Sequence, residues 1–169
     1  GAAGLVEGAG DVGCKCRETA AGCGIEGGVG LGVETIPRDQ VVIATKAQFR
    51  GKPFAQPEKV VAALDNSLRL MGTDYVDVFN LHGVEVGEYD YALETMAPAL
   101  LKQKEKGKIR HIGMTENPIV DFTNATLKRA LHDPVWEVFM VGVHLMHQGP
   151  PPNVVAQTHN KARVTPVRF

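Results

Sequence analysis

The stretch that most restricts how this chain can fold runs from Val41 to His82. Val41-Val42-Ile43-Ala44-Thr45 is a continuous, largely β-branched run, the pattern of a strand covered on both faces, as strands of parallel sheets are. Pro57 at a first-turn position with Glu58 behind it predicts a helix, along one side of which fall Val60, Val61, Leu64, Leu68 and Met71. Gly72 supplies the stop. Tyr75 to Leu81, with Val76, Val78, Phe79 and Leu81, then reads as a second buried strand. A helix joining two such strands makes a βαβ unit, which implies parallel pairing through a right-handed crossover.

The alternation continues. Pro98 opens a predicted helix through Ala99, Leu100 and Leu101 to Lys106, with Lys102, Lys104 and Lys106 as a solvated face and Gly107 as its stop. Lys108 to Thr115 is the next strand, with Ile109, Ile112 and Met114 apolar, and it ends on the polar pair Thr115-Glu116. A helix containing Leu127, Ala130 and Leu131 leads to a strand from Trp136 to Val143, and Pro150-Pro151-Pro152 breaks the pattern. A helix over 153–158 and a last strand over 162–169 follow, the strand weakened by Pro166. In parallel sheets and barrels, the carboxyl ends of the strands line the site. Lys46 and His82 leave their strands at those ends. On the residues alone, Lys46 reads as snorkelling into solvent rather than held beside a carboxylate. His82 reads as a satisfied core histidine as readily as a site residue.

At 169 residues with 44% hydrophobic positions, the chain has material for one globular core, complete or partial. The net charge of −1 and pI near 6.7 provide no basic field for nucleic acid and no polybasic patch for anionic lipid. No apolar run approaches membrane-spanning length and no signal peptide is legible, so the expectation is a cytoplasmic protein with a small-molecule partner and an undetermined oligomeric state. Cys14, Cys16 and Cys23 form neither a disulfide framework nor a zinc motif and are expected to be reduced. Residues 1–34 are glycine-rich and expected to be poorly ordered, with Leu5 to Val12 the end of a helix and Cys14 to Thr19 a short strand. That glycine string lacks the spacing of a phosphate loop. His144 and His147 lack a third ligand at matching spacing, so no metal site is assigned.

Five pieces in fixed order resemble the aldo/keto reductase family: Glu18-Thr-Ala-Ala-Gly-Cys-Gly24, Val41 to Lys46, Ser67 to His82, Gly107 to Glu116, and Trp136 to Gln148. The resemblance spans roughly residues 5 to 169 and implies an α/β fold, a parallel (β/α) TIM barrel. That family fold takes about 250 residues or more, so a single partial domain over 1–169, with strands 2–7 of 8, is expected. Two unpaired edges would follow. The cofactor implied is NADPH, whose phosphates the family holds with loops expected to lie outside this chain.

By the same resemblance the family's aspartate, tyrosine, lysine and histidine fall on Glu18, Cys23, Lys46 and His82. Lysine and aspartate together lower the tyrosine pKa, the tyrosine protonates the carbonyl oxygen, and the histidine polarises the carbonyl. Lys46 and His82 match. Glu18 keeps the charge of the aspartate one methylene further out, whereas Cys23 replaces the phenol with a short thiol that tends towards thiolate beside a lysine. Thr115 and Glu116 stand where the family contacts the nicotinamide carboxamide, and Met140 where a glutamine binds the same group. The resemblance thus implies NADPH-dependent reduction of an aldehyde or ketone, impaired at the acid position. The competing reading is a non-catalytic barrel-derived protein for binding or regulation; a thiol-based enzyme using Cys23 lacks a placed base.

Overall fold

A computed structural model describes residues 16–21, 24–34, 36–49, 56–117, 119–143 and 163–168, with the side chains of 16–17, 142–143 and 163–168 left aside. Six strands form one parallel sheet in sequential order. They are β1 (Cys16–Glu18), β2 (Val42–Gln48), β3 (Val76–Val84), β4 (Ile109–Glu116), β5 (Val138–Val143) and β6 (Arg163–Arg168). The longer helices among the described residues are α1 (Glu26–Val33), α2 (Pro57–Met71), α3 (Ala97–Glu105) and α4 (Ala125–Ala130). Sequential order with every neighbour parallel is the connectivity of a (β/α) barrel wall. β6 pairs only with β5 among the described residues, so the missing N–H of Pro166 leaves no inner ladder unsatisfied.

α2 follows its sequence signals, with Pro57 in the first turn and Gly72 closing it at a φ of 61°, in the left-handed region glycine enters without steric cost. α3 is preceded by helical residues from Tyr89 and a π-helical turn over Ala92–Met96, which the sequence pattern does not reveal. Its lysines are not uniformly solvated, since Lys104 donates to the Glu137 carboxylate. α1 lies in the glycine-rich segment. Gly30 has a packing reason: a Cβ there would stand 2.8 Å from Met71 Cα and 2.9 Å from the Met71 carbonyl oxygen. Only a hydrogen lets α1 lie against the end of α2. The expected helix over Leu5 to Val12, the helix over 153–158 and the pair His144 and His147 lie outside the described residues.

Because paired residues in parallel strands face the same way and neighbours along a strand alternate, the register sorts the sheet into two faces. One face carries Ile43, Thr45 and Ala47 of β2, Phe79 and Leu81 of β3, and Ile112 and Met114 of β4. All of these are buried, together with Val60, Leu64, Leu68 and Met71 of α2 and Leu100 of α3. This is the apolar layer between sheet and helices. The opposite face carries Ala44, Lys46 and Gln48, then Asn80 and His82, then Gly113 and Thr115, then Met140. It is the polar side.

Polar anchors hold the amino ends of the strands. Asp77, buried at the start of β3, accepts from Arg38 at 2.7 Å, Arg110 at 2.9 Å and the Ile43 amide at 2.9 Å. The two guanidiniums also bracket the Tyr75 ring at 3.9 and 4.1 Å from its centroid.

Candidate active site

β2 and β3 lie side by side, with Lys46 opposite Asn80 and Gln48 opposite His82. Lys46 and His82 therefore occupy one face at the carboxyl ends of adjacent strands. The Phe49 amide donates to the His82 carbonyl at 2.8 Å, and the Ala21 amide donates to the Lys46 carbonyl at 2.9 Å. The second bond lays residues 18–21 along the end of β2. Lys46 does not snorkel away: its ammonium donates to Glu18 Oε1, both side chains being partly exposed. The carboxylate one strand away competes successfully with solvent because β1 and β2 are in register at Glu18 and Ala44.

His82 sits within hydrogen-bonding distance of Thr115, Nδ1 to Oγ1 at 2.6 Å, and the Gly83 amide donates to the same oxygen at 2.9 Å. Gly83 has a φ of 80° and the β3–β4 register shifts between His82 and Val84. That irregularity swings the amide towards Thr115. Burial lowers the pKa of His82 below its ordinary value, the Lys46 ammonium lowers it further, and the Glu18 carboxylate works in the opposite direction. The imidazole is held neutral at neutral pH.

Of the remaining sequence-selected residues, Met140 lies beside Thr115 in the register, on the same face. Glu116 does not join them. It follows Thr115 directly and turns into the helix layer, where Oε1 accepts from Asn124 Nδ2 at 2.6 Å and Oε2 has no partner among the described residues. Burial raises its pKa to about 7, aided by Asp121 and opposed by the Asn124 hydrogen bond and Lys128. Cys23 lies outside the described residues. The structure thus gathers Glu18, Lys46, His82, Thr115 and Met140 on one side of the sheet and sets Glu116 on the other.

Two residues that sequence reasoning passed over belong to the surroundings of the site. Asn80, two positions before His82 and hence on its face, is buried with Oδ1 unpartnered; strand alternation counted back from His82 would have found it. Glu26 is 1% exposed and accepts from Thr45 Oγ1 at 3.0 Å, tying α1 to the strand that delivers Lys46. No periodicity marks that contact. Two concavities among the described residues lie elsewhere, at the amino ends of the strands: about 440 Å³ beside Asp65, Arg69, Gly72 and Lys108, and about 210 Å³ beside His132, Trp136 and Phe139. Parallel strands place their chemistry at the opposite end, so neither is taken as the site.

A sheet of sequential parallel strands carrying a lysine–carboxylate pair and a histidine at adjacent carboxyl ends has the connectivity of a (β/α)-barrel wall with polar side chains gathered at its carboxyl face. The model of the aldo/keto reductase family matches residues 14–147, and the chain belongs to that family. It is 37% identical over 97 residues to the L-galactose dehydrogenase of Arabidopsis thaliana, covering 57% of this chain and 30% of that protein. An aldo-keto reductase enzyme from a Medee basin deep-sea metagenome library superposes with a TM-score of 0.76 at 24% identity, covering 96% of this chain and 57% of its own. The Bombyx mori aldo-keto reductase in complex with NADP superposes at 0.72 and 20% identity, covering 97% and 54%. The chain thus spans between 30% and 57% of the length of these relatives. No helix among the described residues is long and apolar enough to cross a membrane.

Proposed function

We propose that this chain carries the core of an NADPH-dependent carbonyl reductase whose proton-donating position is impaired. The observation that carries the reading is the placement of the Lys46–Glu18 pair and His82 on one face at adjacent strand ends. Nicotinamide, when bound, supplies a hydride to the carbonyl carbon of an aldehyde or ketone. The chain's own contribution is electrostatic. A ring N–H of His82 donates to the carbonyl oxygen, and its neutrality keeps the donor from being a full charge that would bind anions instead. Lys46, anchored by Glu18, provides positive potential where negative charge develops on that oxygen. The oxygen must finally receive a proton, and at the family's acid position stands Cys23.

The face fits the amide end of a nicotinamide. Thr115 Oγ1 accepts from Gly83, lies beside His82 Nδ1 and retains capacity for one more donor. Asn80 Oδ1 is a buried acceptor without a partner among the described residues. Met140 offers a weakly accepting thioether in place of an amide, which weakens the hold on the cofactor. The substrate is a small carbonyl compound and the setting cytoplasmic in this reading.

The test is Cys23→Tyr. General acid catalysis supplies about 10²–10⁴ in rate, so the substitution is expected to raise NADPH oxidation with a panel of small aldehydes on that scale. If neither form binds NADPH, followed by nucleotide fluorescence, or reduces any member of the panel, the reductase reading falls and a non-catalytic binding or regulatory role for the barrel scaffold replaces it.

A further inference from the structure

A threonine hydroxyl has one proton and two lone pairs. At Thr115 the Gly83 amide takes one lone pair at 2.9 Å, and His82 Nδ1 stands 2.6 Å from the same oxygen. Among the described residues the hydroxyl has no further hydrogen-bond partner, and Thr115 is 3% exposed. Were Nδ1 to carry the ring proton, both neighbours would donate to Thr115 Oγ1 and its own proton would be left buried without an acceptor, an arrangement folded proteins avoid. With Nδ1 bare, the hydroxyl gives its proton to the ring and every group is satisfied.

We propose that Thr115 is a positioning residue that donates to His82 Nδ1 and thereby locks the neutral imidazole in the tautomer protonated at Nε2. The bulge at Gly83 is part of the device, because the amide it turns inwards orients the hydroxyl. A Cβ at Gly83 would meet Gln48 Nε2 at 3.4 Å and would have to occupy a left-handed backbone. The lock makes Nε2–H the ring's outward donor. Its importance for catalysis rests on the reductase reading; the hydrogen-bond geometry does not.

The experiment is a long-range ¹⁵N–¹H correlation of the histidine side chains in the full chain, at about pH 8, where an unperturbed imidazole is neutral. His82 signals are identified by their loss in His82→Gln. The expected result is a bare Nδ1 and a protonated Nε2 in the wild type, averaged nitrogens from mixed tautomers in Thr115→Val, and restoration in Thr115→Ser. A wild-type ring protonated at Nδ1, or an unchanged tautomer in a folded Thr115→Val protein, overturns the proposal. Should Thr115→Val fail to give a dispersed amide spectrum, the wild-type and Thr115→Ser tautomers decide it. A locked Nε2–H tautomer alongside a Cys23→Tyr protein that neither binds NADPH nor reduces carbonyls leaves this assignment standing and removes the reductase reading alone.

Discussion

Replacing Glu116 with glutamine should change how the stability of this protein depends on pH. The Glu116 carboxyl is 6% exposed, with one oxygen bonded to Asn124 and the other unpartnered. Its pKa is displaced from the ordinary 4.5 to about 7. Between those values the folded protein keeps a proton that the unfolded chain releases, so stability falls as pH rises through the window. At about 1.4 kcal/mol per pH unit, the gap is worth about 3 kcal/mol. Glutamine mimics the protonated acid and cannot lose that stability. Urea unfolding of both proteins from about pH 4.5 to about pH 8 should show the wild type losing about 3 kcal/mol relative to Glu116→Gln. Comparing the two proteins cancels His82, whose lowered pKa acts in the opposite sense by favouring the fold above about pH 6.5. A difference that stays flat across the window would mean that Glu116 is solvated or ion-paired, and the burial argument would be wrong.

Two further outcomes follow from the same contacts. Lys46→Met should raise the His82 pKa, because the ammonium depresses it, and Glu18→Gln should lower it; histidine titration by NMR reads both, and no movement in either would separate His82 from the pair. Gly30→Ala should destabilise the protein despite a helix-propensity gain of about 1 kcal/mol, since the new methyl meets the Met71 backbone at 2.8 Å and overpacking of this kind costs about 1–3 kcal/mol. A raised denaturation midpoint in that variant would show that α1 does not sit against α2 as described.

Much of the fold was legible before any coordinates, for a physical reason. Strands covered on both faces are rich in apolar and β-branched residues, which is why Val41–Thr45 and, with Asp77 and Asn80 interrupting it, Tyr75–Leu81 point to a parallel sheet. Pro57 and Gly72 bracket α2 because the first lacks an N–H the helix does not need there and the second tolerates a left-handed backbone. α1 escaped notice because a glycine-rich stretch reads as irregular, and at Gly30 the glycine answers to the Met71 backbone, a contact distant in the chain. The site divides in the same way. The positions of Lys46 and His82 at strand ends follow from where the apolar runs stop. The family resemblance grouped Glu116 with Thr115, yet adjacent strand residues face opposite ways, and here the two serve different layers.

Local chemistry was therefore enough to write down the element order, the parallel sheet and the carboxyl-end histidine, since each depends on residues within a turn or a strand of one another. The ion pair of Lys46 with Glu18, the hold of Thr115 on His82 and the burial that raises the Glu116 pKa each join segments about 30 residues apart or place one side chain between layers. Such contacts depend on strand register and helix packing, which arise only when the whole sheet assembles.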